Sequence, residues 1–152
     1  DMNYCTRQEV REMLKDDAMN IVIGDQYIED PAKREELIGP IIDAAVEDAE
    51  GEIDGYIAKR YSVPLVPVPK VINKFTKDIA LYNLYSRIGI DENGEEKNYL
   101  NRYNSAIKFL VLVTEGKVSL GVPIDDPQTA ASTGFSVKSN PRLFGRNSLR
   151  GM

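Results

Sequence analysis

Residues 40–69 read PIIDAAVEDAEGEIDGYIAKRYSVPLVPVP, and the two halves of this stretch decide the fold. In the first half Ile42, Ala45, Val46, Ala49, Ile53, Tyr56, Ile57 and Arg60 recur at steps of three and four. Asp43, Glu47, Asp48, Glu50, Glu52 and Asp54 fill most of the remaining positions. That spacing predicts an amphipathic helix from Pro40 to about Tyr61, with a narrow seam of small residues and a strongly acidic, solvated outer face. Ala45 and Ala49 let a second helix approach closely. The second half, Val63 to Pro69, lacks three backbone donors in seven residues, so it is neither helix nor central strand. It reads as an extended, polyproline-like connector whose apolar side chains are pinned against the body.

Toward the N-terminus, Asp30-Pro31 has the signature of a helix start, with aspartate as cap and proline at the first helical position. Gly39-Pro40 is expected to interrupt that helix near Ile38, because proline lacks the amide and crowds the preceding turn. Thr6-Arg7-Gln8-Glu9 matches a capping box and predicts a short helix through about Lys15, with Val10, Met13 and Leu14 facing inward. Lys15 to Gln26 reads as a loop in which Ile21, Val22 and Ile23 form an anchored extended piece before Gly24.

Toward the C-terminus, a helix is predicted from about Pro69 to Ile88 on Ile72, Phe75, Ile79, Tyr82, Leu84 and Tyr85, ended by Gly89. Asp91 to Glu96 is a polar turn. A last helix from about Lys97 to Glu115 rests on Leu100, Tyr103, Ala106, Ile107, Leu110 and Val113, and Gly116 closes it. Val118 and Leu120 suit a short strand that Pro123 ends. The expected fold class is mainly α: a small helical bundle over 1–121, followed by an extended arm over 122–152. In that arm 128–134 is small and polar (QTAASTG), and apolar anchors are scattered at Phe135, Val137, Leu143, Phe144 and Leu149. A stretch of about 30 residues without helical period reads as a linker or a partner-dependent arm. Phe135 to Ser139 alternates apolar and polar, which suits an edge strand adding to another chain's sheet. A frayed terminus is the equal alternative.

Composition narrows the function. The chain has 152 residues, 42% hydrophobic and 28% charged, which suits one globular domain. Lys and Arg number 19 against 24 Asp and Glu. Residues 1–60 hold 7 basic and 16 acidic groups, whereas 122–152 hold 4 and 2. An acidic body repels a nucleic-acid backbone, and four cations in a tail are a weak signal for anything. There is no histidine, so imidazole is available neither as a base nor as a ligand. The lone Cys5 excludes an internal disulfide and reads as a spare buried thiol. The longest apolar run, Phe109 to Val113, is far short of a bilayer span, and no secretory signal is legible, so the chain reads as cytosolic.

The candidate motifs are weak. Counting from Asp91, the sixth and twelfth positions are Glu96 and Arg102, which breaks the calcium-loop pattern. Gly116-Lys117 lacks the rest of a phosphate-binding loop. Glu47 with Glu50, or Glu50 with Asp54, are carboxylate pairs by spacing, but a solvated helix face separates no pKa values. Tyr82, Tyr85, Tyr99 and Tyr103 at helical spacing read as core and interface residues. No catalytic residue, metal ligand or cofactor is assigned.

Three segments together resemble the head-tail connector (adaptor) proteins of tailed bacteriophages, in the phage Mu-like branch found in prophages. They are Tyr4 to Glu9 (YCTRQE), Ile53 to Leu65 (IDGYIAKRYSVPL) with Asp78 to Leu84 (DIALYNL), and Asn140 to Gly151 (NPRLFGRNSLRG). The resemblance covers nearly the whole chain. It implies a non-enzymatic virion protein at the head–tail interface, assembled in the bacterial host cytoplasm. Such a protein forms a dodecameric ring on the portal protein, extends the DNA channel and gives the tail its attachment point through a head-closure or tail-terminator protein. DNA passes through without specific binding, and no membrane is involved. On this reading the arm is mobile in a monomer and grips the portal or a neighbouring subunit. Phe135 and Val137 add an edge strand, Leu143 and Phe144 fill a pocket, and Arg142, Arg146 and Arg150 pair with acidic groups. Asp43, Glu47, Glu50, Asp54, Asp91 and Glu92 are the candidates for a channel lining that repels phosphates. The alternatives are a tail-completion protein of the same virion and a small dimeric bacterial interaction module.

Overall fold

A computed structural model describes residues 2–24 and 28–124. Five helices follow one another: α1 (Arg7–Met13), α2 (Asp16–Ile23), α3 (Pro31–Ile57), α4 (Lys70–Ser86) and α5 (Lys97–Thr114). Helix α3 packs along α4, α5 packs on both, and α1 and α2 close over α3 from the N-terminal side. The architecture is the small helical bundle that the apolar spacing predicts.

Local chemistry sets the boundaries. Thr6 Oγ1 accepts the Glu9 amide at 3.1 Å while Glu9 Oε1 accepts the Thr6 amide at 3.0 Å, so the capping box starts α1 as expected. Asp30 caps α3 through the Ala32 amide at 3.0 Å. At the end of α5 the Gly116 amide donates to Val113 and the Lys117 amide to Leu112, a Schellman closure that needs the positive φ of 77° found at Gly116. The polar turn at 91–96 is pinned by Asp91, which accepts the Asn93 amide.

Three expectations are corrected. Lys15 to Gln26 is not a loop up to Gly24, because Asp16–Ile23 is helical. Asp16 and Asp17 sit in its positively polarised first turn, and Ala18, Met19 and Val22 form the buried stripe. Of the apolar triplet only Val22 is buried, and Ile21 points out at 54% exposure.

Gly39-Pro40 does not interrupt α3, which runs unbroken for 27 residues. A helix-interior proline forfeits one hydrogen bond and costs about 3 kcal/mol. Here Pro40 and Glu36, whose carbonyl loses the bond, are both exposed, so water solvates the orphan. The seam Ile38, Ile42, Ala45, Val46, Ala49, Ile53 and Ile57 is buried in one continuous phase on either side of the proline. That burial outweighs the defect.

No strand forms at Val118 and Leu120, or anywhere else among the described residues. The Leu120 amide is satisfied instead by the Tyr61 hydroxyl at 3.0 Å. The connector is pinned through Leu65, buried, and Val68, half-buried. It bends at 63–64 and 66–67 rather than running straight, with cis bonds at Val63–Pro64 and Val66–Pro67. Val66 is turned outward at 82% exposure.

Candidate functional site

The acidic face of α3 meets the N-terminal segment. Glu50 is buried at 6% exposure and its Oε2 accepts two consecutive amides, Asn3 at 2.7 Å and Tyr4 at 2.5 Å. One turn on, Asp54 accepts the Tyr4 hydroxyl, and that same oxygen accepts the buried Leu65 amide of the connector at 3.0 Å. Tyr4 therefore ties the N-terminus, α3 and the connector at one atom. Burial, then the hydrogen bond to Asp54, push its phenol above the ordinary tyrosine range.

Around this atom the polar groups interlock. Arg7 reaches Asp43 with two guanidinium nitrogens, Nε to Oδ1 at 2.7 Å and Nη2 to Oδ2. Buried Gly39 makes room for that guanidinium, since a Cβ there would lie 2.8 Å from Arg7 Nη1. Arg7 in turn holds the Asp43 carboxyl below its usual range. Asn73 on α4 donates to the Tyr4 carbonyl at 2.9 Å and to Glu9 at 3.0 Å. The Asn73 bond is the chief reason the Glu9 carboxyl lies low. Beside it the Cys5 thiol is buried, and desolvation with the negative charges of Glu50 and Glu9 pushes it up to about 12, an inert protonated state.

The four helical tyrosines form two stacked pairs that clamp α4 to α5. Tyr82 stacks on Tyr103 and Tyr85 on Tyr99, each with ring centroids 4.1 Å apart. The Tyr103 hydroxyl continues to Glu52 on α3 at 2.7 Å. These are core contacts, as their spacing implied.

The predicted site residues separate sharply. Asp43, Glu50 and Asp54 are held in structural contacts, so the reading of α3 as a solvated acidic face is corrected for them. The reason is that the N-terminal segment brings amides, a phenol and a guanidinium to that face. Glu47, Asp91 and Glu92 are exposed, the first on α3 and the others in the α4–α5 turn. The structure does not gather these six carboxylates into one site. Among the described residues no group of His, Cys, Asp or Glu has a metal-binding arrangement, and no helix is long and apolar enough to cross a membrane. Phe135, Val137, Arg142, Leu143, Phe144, Arg146 and Arg150 lie outside the described residues.

Sequence reasoning missed a surface. A groove of ≈ 450 Å³ opens between the connector and the end of the described chain, lined by Ser62, Pro64, Leu65, Val66, Val122, Pro123 and Ile124. Val63, Val66 and Ile124 are exposed at 38%, 82% and 42%. The signal lay in the connector's pattern, where valine alternates with proline and only one side chain at a time can face inward.

The described residues build a helical bundle held by its own carboxylates, with a groove lined by Pro64 to Val66 and Val122 to Ile124. Its kinship is specific: this is a Mu-like phage protein. The family model described as "Bacteriophage Mu, Gp36" matches residues 4–139, and the chain belongs to that family. It is 33% identical over 110 residues to the Mu-like prophage FluMu protein gp36 of Haemophilus influenzae, covering 72% of this chain and 74% of that one. It is 29% identical over 110 residues to Gene product J of Escherichia phage Mu, covering 70% and 72%.

Proposed function

We propose that this chain is a non-enzymatic virion protein, a head-tail connector that rings the portal, extends the DNA channel and provides the point of attachment for the tail. Residues 122–152 serve as its gripping arm. The observation that carries the reading is the pair of exposed apolar side chains Val66 and Ile124, which line one groove where that arm begins. Apolar surface of this kind is stabilised by burial against another protein. Membership of a phage Mu family supplies the context. Glu50, engaged by two amides, and Asp54, engaged by a phenol, have structural hydrogen bonds, which supports the non-enzymatic reading. The exposed Glu47, Asp48, Asp91 and Glu92 leave carboxylates to face a passing duplex and repel it.

The test is association of the full-length chain with purified portal rings, read by co-sedimentation and by electron microscopy of an added ring layer. Replacing Arg142, Arg146 and Arg150 together by Glu is expected to abolish it. Binding to tail tubes but not to portals would reassign the chain to tail completion. A discrete dimer with affinity for neither would mark an interaction module.

A further inference from the structure

We propose that the groove beside the connector is the resting dock of this chain's own segment 135–144 in the free protein. One wall is Pro64 to Val66 and the other Val122 to Ile124, around a space of ≈ 450 Å³. The chain leaves the described body on the groove's own lip, and 28 residues follow Ile124. Four of the large apolar side chains among them, at 135, 137, 143 and 144, fall within ten residues.

The tether decides between occupants. Phe135 lies eleven residues past Ile124, through a stretch rich in Ala, Ser, Thr and Gly. By random-coil statistics eleven residues have a root-mean-square span of about 17–20 Å. A segment tethered so closely meets the groove at an effective concentration on the order of 1 mM. Even a weak contact, with a Kd of about 100 μM, would then keep the groove roughly nine-tenths filled by its own chain. A second copy at micromolar concentration does not compete.

Such docking shelters the apolar anchors of the arm until a partner displaces them. It stands apart from the connector reading and adds one requirement to it, namely that the segment leave its own groove before it grips a neighbour.

The experiment uses the full-length chain with paired cysteines, Val66→Cys with Val137→Cys, under mild oxidation at about 1 μM. The control is Ile88→Cys with Val137→Cys. Ile88 is also exposed, at 46%, but lies beyond the far end of the 17-residue α4, about 25 Å from the connector. Circular dichroism verifies that both variants keep their helix content. The 66–137 disulfide is expected to close within the monomer about ten times faster than the 88–137 disulfide. Adding Phe135→Ser and Phe144→Ser should bring its rate down to the control's. Equal rates for the two pairs, no effect of the serines, or disulfide-linked dimers whose yield climbs with concentration would each overturn the proposal. A chain that closes as expected but ignores portal rings would uphold this inference and refute the connector reading.

Discussion

Tyr4→Phe removes one oxygen and nothing else, and that oxygen makes two contacts. It donates to the ionised Asp54, a charge-assisted bond with a net contribution of about 1.5–3 kcal/mol. It also accepts the Leu65 amide at 3.0 Å, where Leu65 is 2% exposed. Left without a partner in that setting, a backbone N–H costs about 1–3 kcal/mol. Asp54 is only half-buried and regains water, so the expected loss lies toward the lower end of the combined range, about 3 kcal/mol. For a chain of this size each kcal/mol moves the midpoint by about 2–4 °C, so Tm should fall by about 6–12 °C. Thermal unfolding at neutral pH, followed by far-UV circular dichroism, measures it. Amide exchange at Leu65 should accelerate in the same variant. A double-mutant cycle with Asp54→Asn should return a coupling of about 1–2 kcal/mol. A loss below about 0.5 kcal/mol with Leu65 exchange unchanged would refute the assignment of Tyr4 as the joint of three segments.

Alkaline stability should fall for a related reason. Tyr4, Tyr85 and Tyr103 all have phenols raised chiefly by burial, so the folded chain keeps protons that the unfolded chain releases above pH about 10. Their contribution is complete below that pH and declines above it by up to about 1.4 kcal/mol per pH unit for each phenol still protonated, less for half-buried Tyr103. Denaturant midpoints that stay level from pH 9 to about 11 would contradict this. Cys5, pushed up to about 12, should react with a thiol reagent at pH 8 at least about a hundredfold more slowly than free cysteine until denaturant is added. Gly116→Ala should cost about 1–2 kcal/mol in a thermal melt, because a side chain at φ 77° is strained and its Cβ would collide with the Arg60 guanidinium.

Much of this fold is legible in the chain because its signals are local. The capping box at Thr6, the Asp30-Pro31 start, the polar turn at 91–96 and the Gly116 stop each specify a boundary within four residues. The seams of α3, α4 and α5 are long enough for their period to stand out. The failures are instructive. Pro40 reads as a local defect, although the apolar phase from Ile38 to Ile42 runs straight across it, and tertiary burial of that seam outweighs one lost hydrogen bond. Helix α2 was hidden because Ile21-Val22-Ile23 looks extended, while the decisive stripe of Ala18, Met19 and Val22 mixes small and flexible side chains. The buried Glu50 was illegible for a different reason. Nothing near it in sequence announces that the amides of Asn3 and Tyr4, 47 and 46 residues away, will arrive to satisfy it.

That long-range closure changes what the acidity of α3 means. Six carboxylates between Asp43 and Asp54 suggest a strong outward field, yet Arg7 neutralises Asp43, backbone amides surround Glu50, and phenols engage Glu52 and Asp54. What remains to act on a distant phosphate is chiefly Glu47 and Asp48, together with the exposed acids of the 91–96 turn. Charge composition thus overstates how much of this acidity faces solvent, because Arg7 cancels the charge of Asp43 and neutral donors occupy oxygens of Glu50, Glu52 and Asp54. In the proposed ring the deficit is offset by symmetry. Each copy presents the same pair at the same height, so a modest charge per chain becomes a closed belt around the bore. Repulsion of DNA would then depend on the outward pair, and stability on the inward four. The two roles are separable by mutation: Glu47→Gln with Asp48→Asn should leave the melting curve nearly unmoved, whereas Glu50→Gln should not.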